Sequence, residues 1–404
     1  IAIGPFSGYN VTTGGSGNVF LGYKAGYAVK TQNQAMAIGY EAMGGNAGTQ
    51  EGSGIAIGYR AMYEGKDGNS GTIVGNSAGQ YLQGIGATYI GGSAGRFATG
   101  SYNTFIGDNA GRGPNSAPYG SGGYNTAVGY QALDAFTTGT QNVAIGYQAA
   151  TDLTTGYYNA IVGYQAGQNI TIGNSNIILG WQAGNNLTTT DNSIMIGYRA
   201  GYVDRGTNDH DIIIGYEAGL KVTGGSNVGI GRDALRGTGG SEFAAVSTAA
   251  ENTAVGYGAA STIIGSQISA FGYQAGGAAT GSRGVYVGYR AGRGATSAPY
   301  GSGLYNTAIG YEALEDFTTA QRMVAIGYEA MTDTTTGQDS VAIGYQAAYQ
   351  NTDNDSVSIG LSAGYYGGAG SNVYVGYRAG STTTGGSNTA IGNSAIRYLD
   401  AGNE

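Results

Sequence analysis

Apolar residues fall along this chain in a short, strict beat. A branched aliphatic or aromatic side chain stands before a glycine, with an apolar residue or threonine two positions earlier. The unit returns every 16 to 18 residues with a few longer gaps, about 23 times in all. A full form, Asn-Thr-Ala-Ile-Gly-Tyr-Glu-Ala, occupies 306–313. With the central glycine as position zero, the residue at minus one is Ile38, Ile145, Val162, Leu179 and their equivalents. Apolar positions spaced two apart predict a short β-strand ending at each glycine. On this reading minus one and minus three form the inward ladder, and minus two points away from the core. A fixed period this short makes one repeat one coil of a solenoid. The expected fold is therefore an all-β, parallel β-solenoid (a β-roll) of about 23 coils of roughly 17 residues. It runs through 1–404 as one continuous rod, about 105 Å long at the usual strand spacing.

The other positions of the coil are as regular. Gly129, Gly146, Gly163 and their equivalents stand at zero in every coil, which points to a corner with positive φ or a close neighbouring backbone. Position plus three is Ala132, Ala149, Ala166 and so on, with Ser7 in the first coil, and reads as a tight inward site. Plus two is polar and is expected to face water. Plus one is Tyr in 15 coils, including Tyr130, Tyr147 and Tyr164, and Trp181 in another. Such a file of rings suits a sugar-binding or charge-carrying track, but a structural ladder of stacked rings explains it more simply. Asn at minus four, in 11 coils, fits an Asx turn or a hydrogen-bonded ladder.

Minus two is mostly Ala, with Phe20, Tyr89, Ile178, Tyr286 and others interspersed. Strands apolar on both faces are usually covered on both faces. Packing three chains, or a long loop, over the stripe at minus two would cover it, which favours an oligomeric rod. The end strands at Ala2-Ile3 and Thr389 to Ile391 add a second expectation, end-to-end filaments.

A larger period overlies the small one. Ser116 to Gly122 recurs letter for letter at Ser297 to Gly303, an offset of 181 residues, so ten coils form a super-repeat. Both copies lie in long gaps. Pro118, Tyr119, Pro299 and Tyr300 are therefore candidate contact loops on the side of the rod.

Composition narrows the chemistry. With 80 Gly but only 4 Pro and no Gly-X-Y period, collagen is excluded. The net charge of -8, with 17 Lys plus Arg scattered singly, leaves no basic footprint for nucleic acid. The chain has no Cys, and no apolar run approaches a membrane span. His210, between Asp209 and Asp211 with Asp204 nearby, reads as a surface loop rather than a metal site. Asp353-Asn354-Asp355 lacks the rest of a calcium loop. Asp134, Asp152, Glu315 and Asp333 recur after the Tyr-Gln-Ala or Tyr-Glu-Ala segments and would serve glycoside hydrolysis only as a facing pair in a cleft. No catalytic, cofactor or metal residue is expected, and a polysaccharide-degrading spike is the weakest alternative.

Ser-Val-Ala-Ile-Gly at 340–344 resembles the repeat of trimeric autotransporter adhesin heads. Asn-Val-Ala-Ile-Gly-Tyr-Gln-Ala at 142–149 is similar to repeats of phage tail fibres and bacterial surface fibres. The resemblance covers essentially the whole chain, although the coil is longer than the autotransporter one. It implies a trimeric, left-handed parallel β-roll, extracellular, at a cell surface or on a virion. Such a protein assembles and contacts surfaces, with a cell-surface glycan or host receptor as partner, or forms the shaft of a tail fibre.

Overall fold

A computed structural model of the chain describes residues 1–12, 15–30, 33–45, 54–65, 70–116, 119–202, 210–237, 247–262, 264–296, 300–350, 354–367 and 370–399. Two compact units emerge, built chiefly of Ile1–Arg199 and Asn208–Glu404. Both are parallel β-solenoids, and no helix occurs among the described residues. In the first unit, strands run from Ala2–Ile3 through three-residue segments such as Val143–Ile145 to Ile194–Ile196. In the second they run from Ile212–Ile214 to Thr389–Ile391, with a small parallel pair of Thr382–Thr383 and Tyr398–Leu399. Within each unit the coils pair in register with their neighbours, so that Ile145 lies between Val128 and Val162.

The corner after each strand requires glycine twice over. Gly107 has φ +130°, a region closed to side chains, and a Cβ there would lie 2.5 Å from the carbonyl oxygen of Gly129 in the next coil. Gly129, Gly146 and Gly163 repeat this geometry. Two left-handed residues follow at plus two and plus four, for example Gln131 and Leu133 at φ 52° and 54°. Between them the alanine at plus three closes the turn by donating its N–H to the glycine carbonyl, as Ala149 does to Gly146. Ala132, Ala149 and Ala166 are fully buried, as the tight inward site requires.

The strand faces the other way from the sequence expectation. Its middle residue, at minus two, is the buried one, and the residues at minus three and minus one lie on the outer face. Ile145 is 37 % exposed and Val162 is partly exposed, so neither belongs to an inward ladder. Size explains the choice. The interior of so small a coil is narrow, and minus two shares it with plus four. Phe20, Tyr89, Phe105, Ile178, Ile213, Tyr286 and Tyr374 each meet a glycine at plus four, whereas Met43, Met62, Leu133, Leu235, Leu314 and Met331 fill the space opposite Ala or Gly. The fit is close: a Cβ on Gly111 would sit 2.5 Å from the Phe105 ring. Where one of these two positions holds a large side chain the other stays small, so the interior is filled without overpacking.

Asparagine at minus four forms a buried ladder. Asn142, Asn159 and Asn176 each donate the backbone N–H to the side-chain oxygen of the asparagine one coil before, at 2.9, 3.0 and 3.0 Å. Their side-chain amides donate both to that oxygen and to a loop carbonyl, Gly173 accepting from Asn159 at 2.7 Å. Asn159→Ala strands the N–H of Asn176 and the carbonyl of Gly173, both of which would remain buried. Each such orphan costs about 1–3 kcal/mol, so a loss of about 3 kcal/mol in chemical denaturation is expected. A loss below about 1 kcal/mol would mean that water reaches the ladder and that it is not a structural clamp.

Candidate functional site

Two adjacent ladders make up the outer side of the strand face. The first consists of the residues at minus three and minus one. In the first unit it runs through Val143, Ile145, Ala160, Val162, Ile177, Leu179, Ile194 and Ile196, and in the second through Val285, Val287, Thr307, Ile309, Val324 and Ile326. No charged residue stands at either position in any coil. Ile177 and Leu179 are 47 % and 44 % exposed. A parallel sheet presenting a row of aliphatic side chains, with threonine interspersed, to water is unusual, because such sheets are normally covered on both faces.

Beside it runs the aromatic ladder of plus one. Tyr130, Tyr147, Tyr164, Trp181 and Tyr198 stack with centroids 5.3, 5.1, 5.8 and 4.8 Å apart. In the second unit Tyr257, Tyr273, Tyr289, Tyr311, Tyr328 and Tyr345 stack at 4.9–5.1 Å, nearly parallel. These rings bear out the structural-ladder reading. Within each run the interior rings have both faces occupied by neighbouring rings, so a sugar cannot lie flat on them; what they show to water is a row of edges and hydroxyls. The Tyr328 phenol is pushed up to about 12, chiefly by its hydrogen bond with Glu329 and then by burial, which keeps it protonated at neutral pH.

The polar residues at plus two form a third ladder rather than pointing freely into water. Gln148, Gln165 and Gln182 each donate an amide N–H to the glutamine one coil before, at 2.9, 3.1 and 2.8 Å. Glu41 and Glu217 at the same position are buried, and Glu41 is held by Arg60 at 2.8 Å.

Three of the four carboxylates considered for hydrolysis are engaged between coils. Asp134 meets Arg112 at 2.9 Å, Glu315 meets Arg293 at 3.0 Å, and Asp333 accepts from Gln350 at 2.8 Å. Burial pushes Asp134 up to about 6 against the pull of Arg112, and burial also raises Asp152. Asp211 accepts the N–H of Asn227 at 2.7 Å, standing in the place of a ladder asparagine. Asp204, Asp209 and Asp353 lie outside the described residues, as do Pro118 and Pro299. Among the described residues no helix is long and apolar enough to cross a membrane.

The two contact loops are not equivalent. Tyr119 stacks on Tyr81 and Phe97, with centroids 5.3 and 5.8 Å away, and those two rings stack on each other at 5.3 Å. Tyr300, its counterpart 181 residues on, lines an open cleft instead. The aliphatic face and this cleft are the features that sequence reading missed. The sequence matches no protein-family model, and a search of characterised proteins gives no significant match.

Proposed function

We propose that the chain is a non-enzymatic structural solenoid, a segment of an extracellular fibre or adhesin whose copies associate through the aliphatic strand face. The uncharged outward row at minus three and minus one carries this reading. Covering that row in a second copy removes apolar surface at about 25 cal/mol per Å², and repetition coil after coil multiplies the gain. A face made of one repeated unit is also self-complementary, because any copy presents the same spacing to any other. The resemblance to adhesin heads and fibre shafts, at a cell surface or on a virion, points the same way and favours three chains.

Mass in solution, with electron microscopy of the same sample, tests the reading. Assemblies of three chains, or filaments, support it. A stable single chain of 40.7 kDa at micromolar concentration, with no filament in the micrographs, overturns it.

A further inference from the structure

The super-repeat contains its own control experiment. In the first copy Gln80, Tyr81, Arg96 and Phe97 pack beneath the Tyr119 loop: Arg96 donates to Gln80 at 2.9 Å and lies over the Phe97 ring at 5.0 Å, while the three aromatic rings stack. The equivalent residues 181 positions later are Ser261, Thr262, Gly277 and Ala278. Four large side chains have been replaced by small ones while the loop, its Tyr300 and the underlying coils are retained. The result is a cleft of about 360 Å³ with Tyr300 on one wall and Thr262, Gln274, Arg290 and Arg293 among the others. A second cleft of about 290 Å³, reaching Asp233 and Arg236, shares Ser261, Thr262 and Gln274 with it, so the two form one groove. Its lining comes from four successive coils, a length of roughly 15 Å.

We propose that this groove binds a short stretch of neutral polysaccharide, one pyranose ring taking the place that Tyr81 and Phe97 fill in the first copy. Three features select that chemistry. Tyr300 is 41 % exposed and offers an aromatic platform that the stacked plus-one ladder does not. The other walls are polar. Gln274 and the two guanidinium groups are donors, Ser261 and Thr262 retain acceptor lone pairs after donating to the Gly277 carbonyl at 3.0 and 2.8 Å, and a hydroxyl-rich ligand matches both. The positive charge is already balanced, Arg293 meeting Glu315 at 3.0 Å and Asp316 at 2.8 Å, and Arg290 meeting Glu312 at 3.4 Å. A neutral sugar therefore suits the site better than an anionic one.

The inference deepens the reading of the chain as a surface-contacting element, yet the two fail separately: assembly is read by mass, and sugar binding by titration. The probes are neutral oligosaccharides of four sugar units, from cellulose, laminarin, mannan and starch, followed by saturation-transfer NMR and calorimetry. At least one is expected to bind the wild-type chain. The double substitution Thr262→Tyr with Ala278→Phe rebuilds the stack of the first copy and should weaken that binding at least tenfold, with the melting temperature and assembly mass unchanged. Tyr300→Ala should weaken it comparably and serves if the double variant fails to fold. Absence of binding by every probe overturns the proposal, and so does equal binding by the refilled variant. Stronger binding of an oligouronate than of any neutral probe overturns the neutral assignment.

Discussion

Gly146→Ala is expected to destabilise the first unit by about 4 kcal/mol or more, the large loss seen when a special backbone conformation and a packed contact fail together. The backbone at Gly146 has φ +137°, which costs a residue with a Cβ about 1–3 kcal/mol in strain. The added methyl would also lie 2.7 Å from the carbonyl carbon of Gly163. That carbonyl cannot retreat, since the coil is held in register by strand pairing and by turn bonds such as Gln165 N–H to the carbonyl of Tyr147 at 2.8 Å. In a solenoid each coil contacts its neighbours alone, so separating two coils also divides the cooperative unit. Denaturant melts and limited proteolysis should show a lower midpoint and a new cleavage near the altered coil. Gly258→Gln is the control. Gly258 sits at plus two with φ +61°, where other coils hold glutamine near φ 52°, and the nearest atom to its Cβ is Gln274 Cγ at 3.4 Å. That change should be neutral within about 0.5 kcal/mol. Equal effects of the two substitutions would refute the account of the corner.

Much of this architecture can be read from the repeat. The period, the strand before each glycine, the corner, the alanine at plus three, the stacked tyrosines and the asparagine ladder all recur as fixed letters, and a fixed letter in a stacked coil has one structural meaning. The facing of the strand was harder, because both faces are apolar and a period of two cannot say which of them is inside. The deciding signal lies six residues away. Phe105 is followed by Gly111 and Tyr286 by Gly292, while Ala127 is followed by Leu133 and Ala308 by Leu314. Such reciprocity in size marks two positions competing for one interior volume, and it assigns minus two to the core. The rows at minus three and minus one show no such exchange because nothing within their own coil limits them. The cleft beside Tyr300 was masked by the opposite effect. The loop sequence repeats perfectly, and the difference lies in small residues of earlier coils, Thr262 and Ala278, that carry no motif.

Replacing Ile145, Ile177 and Leu179 together by Lys should abolish the self-association proposed for the aliphatic face while leaving the coil folded. The three side chains lie on the outer face of the strand and lysine can keep its aliphatic stem against the neighbouring coils, so the fold should lose only about 1 kcal/mol per site in β-propensity and packing. The association loses far more. These side chains are 37 %, 47 % and 44 % exposed, so covering what remains of each is worth about 1 kcal/mol, and a lysine in its place brings a charge that has no partner on an uncharged face. The like charges of facing copies repel as well. Light scattering should therefore fall from the wild-type mass to that of one 40.7 kDa chain, with far-UV circular dichroism and melting temperature nearly unchanged. Retention of the wild-type mass would place the interface elsewhere, at the end strands or the side loops, and the aliphatic face would then need another occupant. Loss of the fold without change in the assembly of the remaining soluble fraction would contradict the outward orientation itself. Charges at the buried middle position supply the contrast: Ala144→Lys puts an ammonium group into an interior that Ala144 shares with Ala149 and Leu153, all fully buried, and should prevent folding outright.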